Sequence, residues 1–270
     1  IYTYYEFPFF NSVMKKHRDN DEDPIVIGYH GNKVHLTSMF PKITAALQIL
    51  AQEKNIEFWA IYDFEGLGYW NIGIPTNLKV RHIQWHPNVY TEEMLDIDIG
   101  ILPSTMPVKK ALKVSRFFLD SPEDYVVKFK MPSNPGRLAV FAKLGVPTVA
   151  DFLPSHFQFI NEGQSGFLAD STGAWYHALK KLIDSKKLRN EVATNMSKTF
   201  KEDLDFREQN KKLFKWLSAF SANTLVEPDQ KKIDYIDGRF IEILKYKNAY
   251  FYDSLFKLLK KIRKIMGTSN

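Results

Sequence analysis

Residues 137–170 read RLAVFAKLGVPTVADFLPSHFQFINEGQSGFLAD. An arginine opens an apolar run, Leu138 to Leu144, that has no strand-like alternation and stops at Gly145-Val146-Pro147, a sequence that ends a helix. Thr148 to Phe152 then resumes as a short apolar stretch, and Gly166 to Asp170 is a second one, each bounded by turn residues and too short for a helix. Helices and strands that alternate at such intervals, with strands apolar on both faces, predict a parallel sheet covered by helices on either side.

The same rhythm runs upstream. IVIGY (Ile25 to Tyr29), EFWAIY (Glu57 to Tyr62), KVRHIQW (Lys79 to Trp85) and DIGILP (Asp98 to Pro103) predict four further strands. A helix is expected from about Ser38 to Lys54, a short one at TEEMLD, and helical structure from Thr172 to about Ala222. The fold class is therefore α/β, a doubly wound, Rossmann-like parallel sheet with a helical C-terminal extension. Residues 1–23 read as a connector, 24–222 as the sheet domain and 223–270 as a basic helical extension, with 103–132 a long irregular segment.

Composition narrows the chemistry. With no cysteine, disulfide scaffolds, thiolate metal sites and cysteine nucleophiles are excluded, and a reducing cytoplasm suits the chain. The net charge of +6 resides in the tail, because residues 231–270 hold ten Lys or Arg against four Asp or Glu and leave residues 1–230 neutral. The main body thus lacks the basic footprint of a nucleic-acid binder. No run reaches the roughly 18 apolar residues of a membrane-spanning helix. The chain begins with Ile1, not Met, and reads as a fragment or a processed product, which leaves room for a partner domain.

In doubly wound sheets, ligands gather where strand ends lead into helix N-termini. Two turns fit. The one after the first strand offers Gly31, Asn32 and Lys33, with His30 and His35 beside them, and the one before the Arg137 helix offers Ser133, Asn134 and Gly136. Unpaired N–H groups, small residues and an arginine fork suit a diphosphate. The same Ser, Asn, Pro and Gly are also ordinary helix-start residues, and Gly31 alone makes an ordinary turn. The histidines show no metal-ligand spacing, so no metal is expected. Asp96 and Asp98 read as capping, solvated carboxylates. No Ser-His-Asp order or G-x-S-x-G elbow is present.

Taken in order, Arg137-Leu138, Ala142 to Pro147, Val149-Ala150, Pro154 to Ile160 and Glu162 to Ala169 resemble the nucleotide-sugar-binding half of GT-B glycosyltransferases of the group-1, GT4-like kind. IVIGYHGN resembles that family's first C-terminal-domain strand and glycine turn, and VRHIQWHPNVYTEEMLDIDIGILPS its strand, loop, helix and D-I-x-I-x-P-S strand. The resemblance spans residues 24 to about 220. It implies one half of a GT-B fold that binds a nucleoside diphosphate sugar as substrate, with no cofactor, and transfers the sugar to an acceptor in surface glycan or glycolipid synthesis. The donor-binding residues it implies are Gly31, Asn32, Lys33, Trp85, Ser133, Asn134, Gly136 and Arg137. Trp85 falls where family members contact the base, although a tryptophan packed in the core reads equally well.

Two departures stand beside it. The E-x7-E glutamates of retaining members fall at Pro132 and Val140, and the family's diphosphate-holding Arg and Lys have only Lys33 or His35 as stand-ins. No catalytic residue is assigned, and a non-catalytic pseudo-glycosyltransferase or interaction module is the competing reading. The resemblance also implies an N-terminal acceptor-binding domain as a partner. In the tail, Phe251, Leu255, Leu258, Leu259, Ile262 and Met266 recur at helical spacing beside Lys257, Lys260, Lys261, Arg263 and Lys264. This suits a peripheral helix on an anionic membrane, or a helix packed on the rest of the protein with its lysines in solvent.

Overall fold

The computed structural model describes residues 15, 23–87, 90–104 and 135–221. Six strands form a single sheet, all parallel: β1 (Ile25–His30), β2 (Ile56–Tyr62), β3 (Lys79–Gln84), β4 (Ile99–Leu102), β5 (Thr148–Asp151) and β6 (Phe167–Ala169), in the order β3-β2-β1-β4-β5-β6. All six lie where the sequence predicts them. The fold is doubly wound and Rossmann-like, and its direction reverses between β1 and β4.

Side-chain alternation explains why helices cover both faces. On one face Ile27 and Tyr29 of β1, Phe58, Ala60 and Tyr62 of β2 and Ile99 and Ile101 of β4 meet α2 (Lys42–Glu53) and α7 (Thr172–Asp184) through Leu47, Leu50, Trp175 and Leu179. On the other, Val26, Trp59, Ile61, Leu102 and Ala150 pack with Leu138, Phe141 and Ala142 of α5 (Gly136–Leu144) and with Met196 of α8 (Lys186–Thr199). The second face carries glycines where the Ile97 turn and α5 press close. A Cβ on Gly28 would stand 2.3 Å from Ile97 Cδ1, and one on Gly100 2.8 Å from the Phe141 ring.

The other helices are short: α1 (Lys33–Leu36), α3 (Phe64–Leu67), α4 (Tyr90–Met94) and α6 (Pro154–Phe157). The single helix expected over 38–54 is instead a 3-10 turn at Thr37–Met39 followed by α2. Phe40 is extended, as a residue preceding proline prefers, and Pro41 restarts the chain. α8 continues into a π turn at Phe200–Leu204 and then α9 (Phe206–Ser221). By contacts the chain divides into a unit ending at Leu213 and a second from Phe214 onward, so α9 supplies residues to each.

Asp98 corrects a reading of the sequence. It is not solvated: its carboxylate accepts from the Val26 N–H at 3.0 Å and pairs with Lys15 Nζ at 2.9 Å, and both side chains are almost fully buried. Lys15 also donates from Nζ to the Ile97 carbonyl and from its backbone N–H to Leu144 O, which ties it to the far end of α5. Asp96, exposed, does read as expected.

Candidate functional site

The carboxyl ends of β1 and β4 flank the reversal point of the sheet, and two turns converge there. After β1, Gly31 adopts φ 129°, a conformation that L side chains rarely enter, and its N–H extends the sheet by donating to Ile61 O at 3.0 Å. Asn32 then caps α1, its side chain accepting from Val34 N–H at 3.0 Å. The space around Gly31 is closed, since a Cβ there would meet Tyr29 Oη at 2.9 Å and Arg137 Cδ at 3.0 Å. The structure thus brings Gly31 and Arg137 side by side at one edge of the sheet.

Arg137 stands in the first turn of α5. Its Nη1 donates to Pro103 O at 3.1 Å and its Nη2 to Ser104 Oγ at 2.7 Å, just beyond β4, while the guanidinium lies 5.6 Å from the centre of the Tyr29 ring. All these partners are neutral, and no carboxylate among the described residues pairs with it. Among the described residues no side chain caps α5, and no acidic residue lies in its first turn. Its first intrahelical bond runs from Ala139 N–H to Pro135 O, so the N–H groups of Gly136, Arg137 and Leu138 precede the helical ladder.

His30 supports the same turn from below. It is buried against Phe141, ring centres 5.0 Å apart, and its Nε2 lies 3.4 Å from Arg137 O. A carbonyl only accepts, so the contact places the proton on Nε2. Burial, reinforced by the Arg137 charge, pushes the imidazole pKa down to about 3, and burial likewise pushes the Tyr29 phenol up to about 12. Both groups are therefore neutral at pH 7. The Tyr29 hydroxyl donates to Asn32 O at 2.8 Å, which fixes the β1 turn.

The remaining candidates distribute differently. Lys33 turns its ammonium away from Arg137, to the carbonyls of Leu67 and Tyr69. Trp85, partly exposed just past β3, is linked to the site among the described residues by a file of rings, 5.8 Å to Tyr90 and 6.4 Å from Tyr90 to His30. Ser133 and Asn134, like Pro132, the 103–132 segment from residue 105 on and the basic tail, lie outside the described residues. Val140, at one position of the family's glutamate pair, is buried in the core. The glycine turn 162–166 precedes β6 and so sits at the opposite edge of the sheet from Gly31. Among the described residues no group of His, Asp or Glu could hold a metal ion.

Three residues at the site were not singled out from sequence. Pro103 and Ser104 receive the arginine, and Asp151, buried at the end of β5, accepts from Ser104 N–H at 2.5 Å and so shapes the β4 turn. The signal for Ser104 was present, as the last residue of the D-I-x-I-x-P-S strand.

No known family matches the chain by sequence profile, and no curated protein matches it by sequence. Solved structures do match by fold. Its structural neighbours are GT-B glycosyltransferases. They include TarM of S. aureus, crystallised with UDP (11% identity, TM-score 0.49, 77% of this chain and 38% of that one), and Anabaena HepE with UDP-glucose (15%, 0.46, 73% and 49%). Sucrose-phosphate synthase from Thermosynechococcus elongatus is a third (13%, 0.49, 76% and 47%). The chain spans half or less of the length of each. No helix among the described residues is long and apolar enough to cross a membrane.

Proposed function

We propose that this chain is the donor-binding half of a glycosyltransferase that holds a nucleoside diphosphate sugar over the start of α5, beside the closed Gly31 turn. One observation carries the reading: among the described residues Arg137, half-buried at the reversal point of the sheet, is held by neutral acceptors alone, beside N–H groups that no described side chain caps. A diphosphate supplies the negative charge that this turn lacks. When the bond between the sugar and the diphosphate breaks, negative charge grows on the leaving oxygens, where the helix N-terminus and Arg137 stabilise it. The acceptor, its general base and a role in surface glycan or glycolipid synthesis belong to an acceptor-binding domain that this reading places outside the chain.

Calorimetry with UDP and GDP on the intact chain tests it. Arg137→Ala should lose on the order of 1.5–3 kcal/mol, tenfold or more in affinity, as expected for a charge-assisted bond. Equal affinity for wild type and variant overturns the assignment. A second reading, binding without turnover, is favoured by Val140, whose buried apolar side chain occupies a position where retaining relatives carry a carboxylate. Donor hydrolysis by the longest available form of the protein separates the two.

A further inference from the structure

Lys33 stands two residues beyond Gly31, yet its ammonium serves another loop. Nζ donates to Leu67 O and, at 3.5 Å, to Tyr69 O. These carbonyls flank Gly68, which ends α3 with φ 72°, and a Cβ on Gly68 would stand 3.5 Å from that Nζ. Elsewhere the loop from Asp63 to Leu78 is well fixed. Gln84 accepts from Phe64 and Glu65 N–H and donates to Asp63, Trp70 is buried with its N–H on Tyr62 Oη, and Thr44 bonds Gly73 O. The stretch between is held more lightly: Leu67 and Tyr69 are 44% and 61% exposed, and Lys33 binds it beside the Leu67 N–H bond to Asp63 O and the ring contacts of Tyr69 with Phe64 and His82.

A lysine bound only to neutral carbonyls is weakly committed, because bonds to an anionic oxygen are about twice as strong. We propose that Lys33 is a ligand-responsive tether: an anion held at Arg137 and the start of α5, beside the Gly31 turn, draws the ammonium off Leu67 and Tyr69 and frees the end of α3. The inference rests on the nucleotide-binding reading and adds a consequence to it. The coupling is reciprocal, so occupancy of the site loosens the loop, and fixing the loop weakens binding. Release leaves Leu67 and Tyr69 free to rearrange beside the bound donor.

Hydrogen exchange reads the tether directly, since the amides of Gly66, Leu67 and Trp70 are all bonded in this loop. Adding UDP to the intact chain should speed their exchange about fivefold, the weight of one hydrogen bond. Lys33→Met should show the fast exchange without UDP and no further response to it, while Lys33→Arg, which keeps the donors, should stay slow until UDP is added. UDP binding with exchange at 66–70 unchanged or slowed overturns the tether, as does a Lys33→Met chain that exchanges like wild type without ligand. Absence of UDP binding by calorimetry overturns the nucleotide reading itself and removes the trigger.

Discussion

The imidazole of His30 is a buried neutral group whose environment rejects a proton until about pH 3. An unfolded chain binds that proton near pH 6.5, so between these values the unfolded state holds more protons and stability falls as pH falls. His30 should contribute a slope of about 1.4 kcal/mol per pH unit below 6.5. His82, also lowered by burial, adds to it in the same direction. Urea unfolding of wild type and His30→Phe at pH 7, 6 and 5 checks this, and the variant should lose the His30 share of the slope. None of this was legible in the sequence, where His30 was one of several histidines in a polar turn. Its burial depends on Phe141, more than a hundred residues away, descending on β1. The turn at Gly31 and the helix start at Arg137 were legible because each is marked by local chemistry, though their adjacency in space was not. Ser104 and Asp151 were missed as site residues because their roles exist only once β4 and β5 are adjacent.

Strands and helices were the most readable features, since each strand is a short apolar run between turn residues and sheet burial on both faces demands such runs. The helix expected over 38–54 failed at Pro41, where the constraint on the residue before a proline outweighed the apolar periodicity. Asp98 was misread for a related reason: a carboxylate at the start of a strand looks like a solvated cap until its partner, Lys15, is brought in from far upstream. That pair joins the starts of β1 and β4 to the end of α5. Asp98→Ala leaves a buried ammonium and an unsatisfied Val26 N–H and should cost about 3–5 kcal/mol. The double variant Lys15→Met, Asp98→Ala should recover part of that loss, since no buried charge remains. Chemical denaturation of the two variants measures the difference.

At the scale of the molecule the sequence separates a neutral body from a cationic tail, and we propose from that charge pattern alone, against the alternative of a helix packed on the rest of the protein, that the tail contacts anionic lipid. The intact chain should sediment with anionic vesicles at low salt and leave them as salt rises, and Lys260→Glu with Lys261→Glu should release it. Retention of the double variant on the vesicles would show that these lysines do not hold it. The order of the sheet carries a consequence of another kind, for how the chain acquires its shape. β1 pairs with β2 across a separation of 31 residues, Ile25 to Ile56, but with β4 across 72, Ile27 to Ile99. Closing the longer loop costs about 0.7 kcal/mol more in chain entropy, so the half containing β1, β2 and β3 is favoured to assemble first. Emerging from a ribosome, β1 therefore waits with one row of amides and carbonyls unpaired until β4 is synthesised, and for that interval the strand that leads into Gly31 is an adhesive edge of the nascent chain.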